Sequence, residues 1–445
     1  MIKTALLAAF FLTVVLDEML DIGLVAVVGL SAKNAFLYIL LLAILCGKVA
    51  DRGDGRVQFA AIHLLFIVLI VNAALSIFYM HFVSGQTAGF SLFGHIGLLK
   101  SSLLDMYLMF LVFFYGVDTR QAAVGFAKLL LLVISLMGLI TLMDVLKLPD
   151  MGLVGRGPYG RLEGPLGQAN SYGVFLAFFI PMLVLAATGL GNRLSRLGYL
   201  LGAAVSFALL IQTGSRGALI GMLGGVLLTA WWLRGGYDPR KAARAGAAIL
   251  VFAVILLAVV LLTSEEVGDI VRQRIERSTA GSVDQLSSGR MWIWTQGLNY
   301  LMARPWAFMV GIGWGTFWDK IGIGPHSAYV NYLFSLGIIG LGLFLALVWQ
   351  LLATARRAYF SAHNSAEERL LIAGLIMGWF VLVIAMLTGS IFKPWMFIWP
   401  FTGVCFRIAY CLLGAPARQP EPGKPADAVT GSGSGIVGQP GRFNV

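Results

Sequence analysis

Residues 311–340 read GIGWGTFWDKIGIGPHSAYVNYLFSLGIIG, and they change character half-way. The first half intersperses glycine with aromatic residues. The second half opens an apolar run that ends only near the basic cluster ATARRAYFSAHNSAEER at 353–369. About 20 apolar helical residues cross a hydrocarbon layer of roughly 30 Å, so the run reads as a membrane helix. Its entrance is a Gly-rich loop with His326 at the mouth, where an imidazole titrates near neutral pH.

The same kind of run recurs along the chain. Apolar residues make up 59% of the 445, charged ones 12%, and the mean hydropathy is +0.86, which excludes a soluble domain. The reading is all-α and polytopic, with about 12 spans at 4–28, 34–47, 59–80, 101–117, 122–143, 170–189, 198–212, 217–233, 245–263, 326–349, 370–389 and 396–413. Asp17, Glu18 and Asp21 interrupt the first span, and the second and seventh are short. The N-terminal MIKTALLAAFFLTVVL lacks a small-residue cleavage site after its apolar core and reads as a retained span. Residues 1–414 form the transmembrane domain. Residues 415–445 are rich in Pro, Gly and Ala and read as a disordered cytoplasmic tail.

Orientation follows from the short loops. Segments 48–56, 191–196, 233–244 and 353–369 are basic, and an even number of spans separates each from the next. By the positive-inside rule they face the cytoplasm of a bacterial inner membrane, with both termini inside. That rule and anionic headgroups account for the formal charge of +11, so no nucleic-acid partner is expected. The loops 144–169, 213–217, 264–325 and 390–395 then share the periplasmic side. The longest, 264–325, joins the ninth and tenth spans and is expected to be helical at 265–280 and 288–303, with Ser287 or Ser288 capping the second helix. Trp292, Trp294 and Trp306 suit headgroup level, so the pair reads as interfacial helices or as a lid over substrate.

Four segments on that side carry chemistry. GRLEGPLGQANSYG (160–173) offers Arg161, whose planar fork matches phosphate oxygens, and Asn170 as a helix cap. QTGSRGALIG (212–221) breaks an apolar stretch with a tight hairpin, which is expected to leave Arg216 half-buried. SSGRMWIW contributes Arg290. GPHSAYVNYLFSLGIIGLG (324–342) contributes His326 as a general base, with Tyr329 one turn on to orient its ring. His63, His81, His95 and His363 lack this setting and read as structural or surface residues. Cys46, Cys405 and Cys411 all fall in apolar segments, and no outer loop has metal-ligand spacing, so no metal or cofactor is expected.

Four pieces in order, RLEGPLGQAN, TGSRGALIG, SGRMWIW followed by ARPWAFMVGIGWGTF, and PHSAYVNYLFSLGIIG, resemble the O-antigen ligase and O-antigen polymerase superfamily. The resemblance is densest over 155–345. It implies metal-independent, inverting transfer of an undecaprenyl-diphosphate-linked glycan to an acceptor hydroxyl at the periplasmic face. Arg161, Arg216 and Arg290 would hold the diphosphate, and His326 would activate the hydroxyl. Many members carry Glu where this chain has Ser335. A polymerase joining repeat units of a surface or exported polysaccharide is favoured over a ligase that delivers finished glycan to lipid A–core or protein. A transporter or flippase also fits twelve spans, but it calls for polar residues near the midplane and for repeated halves.

Overall fold

The computed structural model describes residues 2–20, 25–27, 30–50, 59–83, 91–148, 152–157, 160–234, 289–389 and 395–414. The expected ninth span at 245–263, the helix at 265–280 and the tail from 415 lie outside them. The chain divides into one compact unit, Met1–Leu413, and a second, Gly414–Val445.

In chain order the elements begin with α1 (Ile2–Leu20), a hairpin of β1 (Val25–Val27) and β2 (Leu30–Ser31), α2 (Ala32–Ala50) and α3 (Ala60–Phe78). A continuous helical run follows, made of α4 (Leu92–Leu99), a π-turn at Lys100–Leu104 and α5 (Asp105–Tyr115). Next come α6 (Arg120–Val145), a hairpin of β3 (Gly155–Arg156) and β4 (Leu162–Gly164), α7 (Ala169–Gly189), α8 (Arg193–Thr213) and α9 (Arg216–Trp232). After the interval come three short helices, α10 (Arg290–Met302), α11 (Pro305–Val310) and α12 (Phe317–Ile321). The long α13 (Ala328–Tyr359), α14 (Ala366–Ala385) and α15 (Trp395–Leu413) complete the unit. The fold is an all-α polytopic membrane protein. Eight of the described helices are long and apolar enough to cross a bilayer, and α2 and α9 are shorter apolar helices.

Three expectations change. The first helix stops at Leu20, and Val25–Val27, expected to lie within it, form a strand of a β-hairpin instead. Asp17 and Glu18 are tied to Lys33 Nζ at 2.7 and 2.8 Å, so carboxylates that looked like a break are neutralised where the chain turns. The fourth span begins before Lys100 rather than after it. A lysine is tolerated inside a helix when paired, and Lys100 meets Asp105 at 2.9 Å while Tyr38 donates to the same carboxylate at 2.8 Å. The seventh span is a full-length helix, because Asn192 caps α8 through the Ser195 N–H and lets it start well before residue 198.

The helix α7 is apolar all round and buried along almost its whole length, and it packs on α8, α9 and α14. Outer helices such as α3 leave Leu64, Ile67, Val71 and Leu75 exposed, as a face toward lipid requires. On α9 the glycines at 217, 221 and 225 form a small-residue stripe against α14. A Cβ at Gly221 would lie 2.9 Å from the Val381 carbonyl, and one at Gly225 would lie 2.7 Å from the Val381 nitrogen. This close approach fixes where α9 begins relative to where α14 ends.

The helix α13 is broken at Gly337 (φ 66°, ψ −169°). The break frees the Phe334 and Ser335 carbonyls, which accept instead from Ile312 N–H at 2.9 Å and Gly313 N–H at 3.0 Å. Gly311 (φ 82°) faces the break, and a Cβ at either glycine would collide with the other segment's backbone. The Gly-rich loop is thereby sewn onto the first turns of α13.

Candidate active site

Four helices, α7, α9, α10 and α13, begin in one neighbourhood, and the polar residues singled out in the sequence sit at or just before those starts. The α8–α9 turn is the hinge of the arrangement. Gly214 takes a left-handed conformation, φ 59°, and reverses the chain in a few residues. A Cβ on Gly173, in the first turns of α7, would come within 2.7 Å of Ser215, so α7 lies hard against this turn. Arg161 crosses the same junction. Its Nε donates to the Thr213 carbonyl at 2.8 Å and its Nη2 to Asn170 Oδ1 at 2.6 Å.

Asn170 does not cap α7. The cap position is Gln168, and Asn170 lies inside the first turn, where its oxygen accepts from Arg161. Arg216 is the first residue of α9 and is exposed, not half-buried as expected, because a turn this tight leaves its first helical residue on the rim. Arg290 is the first residue of α10, which starts from Gly289 (φ 77°) rather than from a capping serine. Burial, together with the nearby charge of Arg216, lowers the pKa of Arg290. Burial, then the charge of Arg290, lowers that of His326. Arg216 therefore lies near Arg290, and Arg290 near His326.

His326 is held on several sides. Trp294 Nε1 donates to the Pro325 carbonyl at 2.9 Å. Ser327 caps α13 through the Val330 N–H, and both the Ser327 hydroxyl and the Ala328 N–H donate to the Met386 carbonyl just past the end of α14. Between these ties His326 has φ 48°, a left-handed conformation that costs on the order of 1–3 kcal/mol and persists only where surroundings impose it. Tyr329 donates its hydroxyl to the Val383 carbonyl at 2.6 Å, a bond that docks α13 on α14.

The helix starts add to the electrostatics. Ser327 caps α13, whereas the cap residues of α7, α9 and α10 make no side-chain capping bond. Uncapped N–H groups and the positive ends of helix dipoles favour an anion. Guanidinium groups beside them strengthen that preference.

The other histidines stand apart from this cluster. His63 lies between the Tyr107 and Tyr115 hydroxyls, 3.1 Å from each, and His81 Nε2 lies 3.2 Å from His95 Nδ1. Burial raises the pKa of Asp319. Among the described residues no three His, Cys, Asp or Glu side chains converge.

Trp294 was read from the sequence as a headgroup anchor beside Trp292 and Trp306. Two residues apart on a helix, Trp292 and Trp294 point about 200° from each other, so they cannot both face lipid. That spacing was the available signal. Ser335 is fully buried, and among the described residues its hydroxyl has no hydrogen-bond partner.

Residues 200–345 match the family model described as O-antigen ligase, a segment that contains Arg216, Arg290 and His326 but not Arg161 or Asn170. No curated protein matches the chain.

Proposed function

We propose, from the premise that this chain belongs to the O-antigen ligase and polymerase superfamily, that it transfers a glycan from a polyprenyl diphosphate to an acceptor hydroxyl. Membership supports membrane glycan processing of the ligase or polymerase type. The observation that carries the finer reading is that Arg216 lies near Arg290, and Arg290 near His326, where three helices begin without side-chain caps.

In this reading Arg216 and Arg290 bind the diphosphate, and Arg161 joins them from the α7 side. The neutral His326 imidazole accepts the proton of the acceptor hydroxyl. That oxygen attacks the anomeric carbon on the face opposite the diphosphate. The bond from the anomeric carbon to the leaving oxygen breaks with its electron pair, and the configuration inverts. The charge that grows on the diphosphate meets guanidinium groups already in place, which costs no reorganisation during the reaction. The imidazolium then releases its proton to solvent. Burial of His326, and then the charge of Arg290, serve this step, because both disfavour the imidazolium.

The site lies on the periplasmic side of the inner membrane, with both termini in the cytoplasm, and the acceptor is another lipid-linked repeat unit. Purified protein should turn over an undecaprenyl-diphosphate-linked glycan in the presence of EDTA. Complete loss of turnover with the chelator, restored by a divalent cation, would overturn the metal-independent mechanism. Loss of the gene separates the two acceptors: single repeat units accumulate for a polymerase, and unligated full-length polymer accumulates for a ligase. A cysteine placed at Gly322 in a cysteine-free background should react with a membrane-impermeant thiol reagent from the periplasm. Reaction only after inner-membrane lysis would reverse the orientation.

A further inference from the structure

His326 also forms part of the wall of a cavity of 270 Å³, together with Gln168, Trp314, Phe317, Trp318 and Asn331. The arginine cluster and this cavity differ in chemistry. Among the described residues that line the cavity there is no arginine, lysine or carboxylate. Its walls are aromatic rings and side-chain amides, the lining expected for an uncharged ligand oriented by a few polar groups.

Asn331 is the telling residue. It is 6% exposed on the first turns of α13, and among the described residues no hydrogen bond to its side-chain amide is found. Its amide offers two donors and an acceptor at the cavity wall. Gln168 supplies a second amide. Its oxygen accepts from the Ser171 hydroxyl at 2.5 Å, which fixes the side chain at the start of α7. The Trp314 ring is also fixed, by bonds from its indole N–H to Ser102 at 3.1 Å and from its backbone N–H to Ser76 at 3.0 Å. The cavity is thus built from anchored parts.

We propose that this cavity is the acceptor subsite: it takes one uncharged, hydroxyl-rich sugar ring, and Asn331 hydrogen-bonds that ring so that a hydroxyl meets His326. The volume sets the size of the ligand. Sites for drug-sized molecules run from roughly 300 to 1,000 Å³, so 270 Å³ suits a single ring, with the rest of the acceptor outside. The amides match hydroxyl and acetamido groups in either polarity. A ring bearing a phosphate or carboxylate would meet aromatic walls and no cation among the described residues that line the cavity. The inference rests on the reading of His326 as acceptor base, and it adds that the acceptor's terminal sugar is neutral.

The test is ligand-observed saturation-transfer NMR on the full chain in lipid nanodiscs. The probes are methyl glycosides of neutral hexoses and N-acetylhexosamines, with methyl glucuronide as the charged comparison. At least one neutral glycoside should bind the wild type, the glucuronide should not, and Asn331→Leu should weaken the neutral ligand about tenfold or more. Asn331→Ala, which only enlarges the cavity, should behave alike and guards against a packing defect in the leucine variant. Binding of undecaprenyl diphosphate to both variants should match wild type, showing that the fold and the arginine cluster are intact. Unchanged glycoside affinity in both variants, glucuronide binding equal to that of the neutral ligand, or no binding of any neutral glycoside would each overturn the subsite. None of these outcomes bears on the donor site, which fails separately if Arg216→Ala binds undecaprenyl diphosphate normally.

Discussion

The two ends of α14 are built to different purposes. Where α14 begins, helix starts are finished. Thr119 caps α6, Asn192 caps α8, and Ser365 and Glu368 form a reciprocal capping box on α14 itself. Cations there meet carboxylates: Arg120 with Glu368, and Lys128 with Glu367 at 2.7 Å. At about 1.5 Å per residue the helix stops roughly 30 Å away. There α7, α9 and α10 begin without side-chain caps, and the charge of Arg216 lies near Arg290. One end is satisfied by the protein's own groups. At the other, three helix starts lack side-chain caps and His326 takes a left-handed conformation, the arrangement to which the proposed function assigns a bound anion.

The sharpest way to break this contrast is His326→Ala. Turnover should fall roughly 100- to 10,000-fold, the range for loss of a general base. Retention of turnover within a few-fold would move the base elsewhere, with Asp319 and Glu163 the next residues to replace.

Arg216→Ala comes next. Loss of a charge-assisted contact to the leaving group should cost about 2–4 kcal/mol of transition-state stabilisation, or on the order of 30- to 1000-fold in rate. Arg216→Lys should recover only part of it, because lysine keeps the charge and loses the planar fork. Arg161→Ala should also lose activity, and it should loosen the α7 junction as well, since that guanidinium holds Thr213 and Asn170. A thermal melt separates this structural component from the catalytic one.

A smaller effect sharpens the electrostatic argument. Burial and Arg290 both lower the pKa of His326, so the rate should hold through neutral pH and fall only below the ordinary histidine value of about 6.5. Replacing Arg290 by Gln removes a neighbouring cation and makes the imidazolium easier to form. The acid limb of the pH–rate profile should therefore move to higher pH in Arg290→Gln. A shift to lower pH, or none, would show that the two groups do not interact as described.

The smallest effect belongs to the other end. Glu367→Gln removes a partly exposed ion pair, for which a loss of about 0–1 kcal/mol of stability is expected, and turnover should not change. A large loss of activity there would mean that the two ends are coupled.

The sequence made the membrane class legible because apolar runs of about 20 residues have few other uses. It also singled out the arginines and His326, because charge beside apolar runs is conspicuous. It was less informative where the decisive groups are backbone. The start of α4 was hidden by Lys100, whose partners Asp105 and Tyr38 come from further along α5 and from α2. The break in α13 depends on a glycine that looks like any other until Ile312 and Gly313 are seen feeding the freed carbonyls. Asn170 resembled a helix cap by position and proved to be a partner of Arg161. Asn331 stood one turn from His326 in the sequence, yet its importance is visible only as a buried amide in a cavity wall.

The most direct measurement is equilibrium binding of undecaprenyl diphosphate to wild type, Arg216→Ala and His326→Ala, with turnover measured on the same preparations. The account predicts that His326→Ala binds like wild type and barely turns over, whereas Arg216→Ala loses binding and turnover together. Normal binding by Arg216→Ala, or loss of binding by His326→Ala, would contradict the division of labour between the arginines and the histidine.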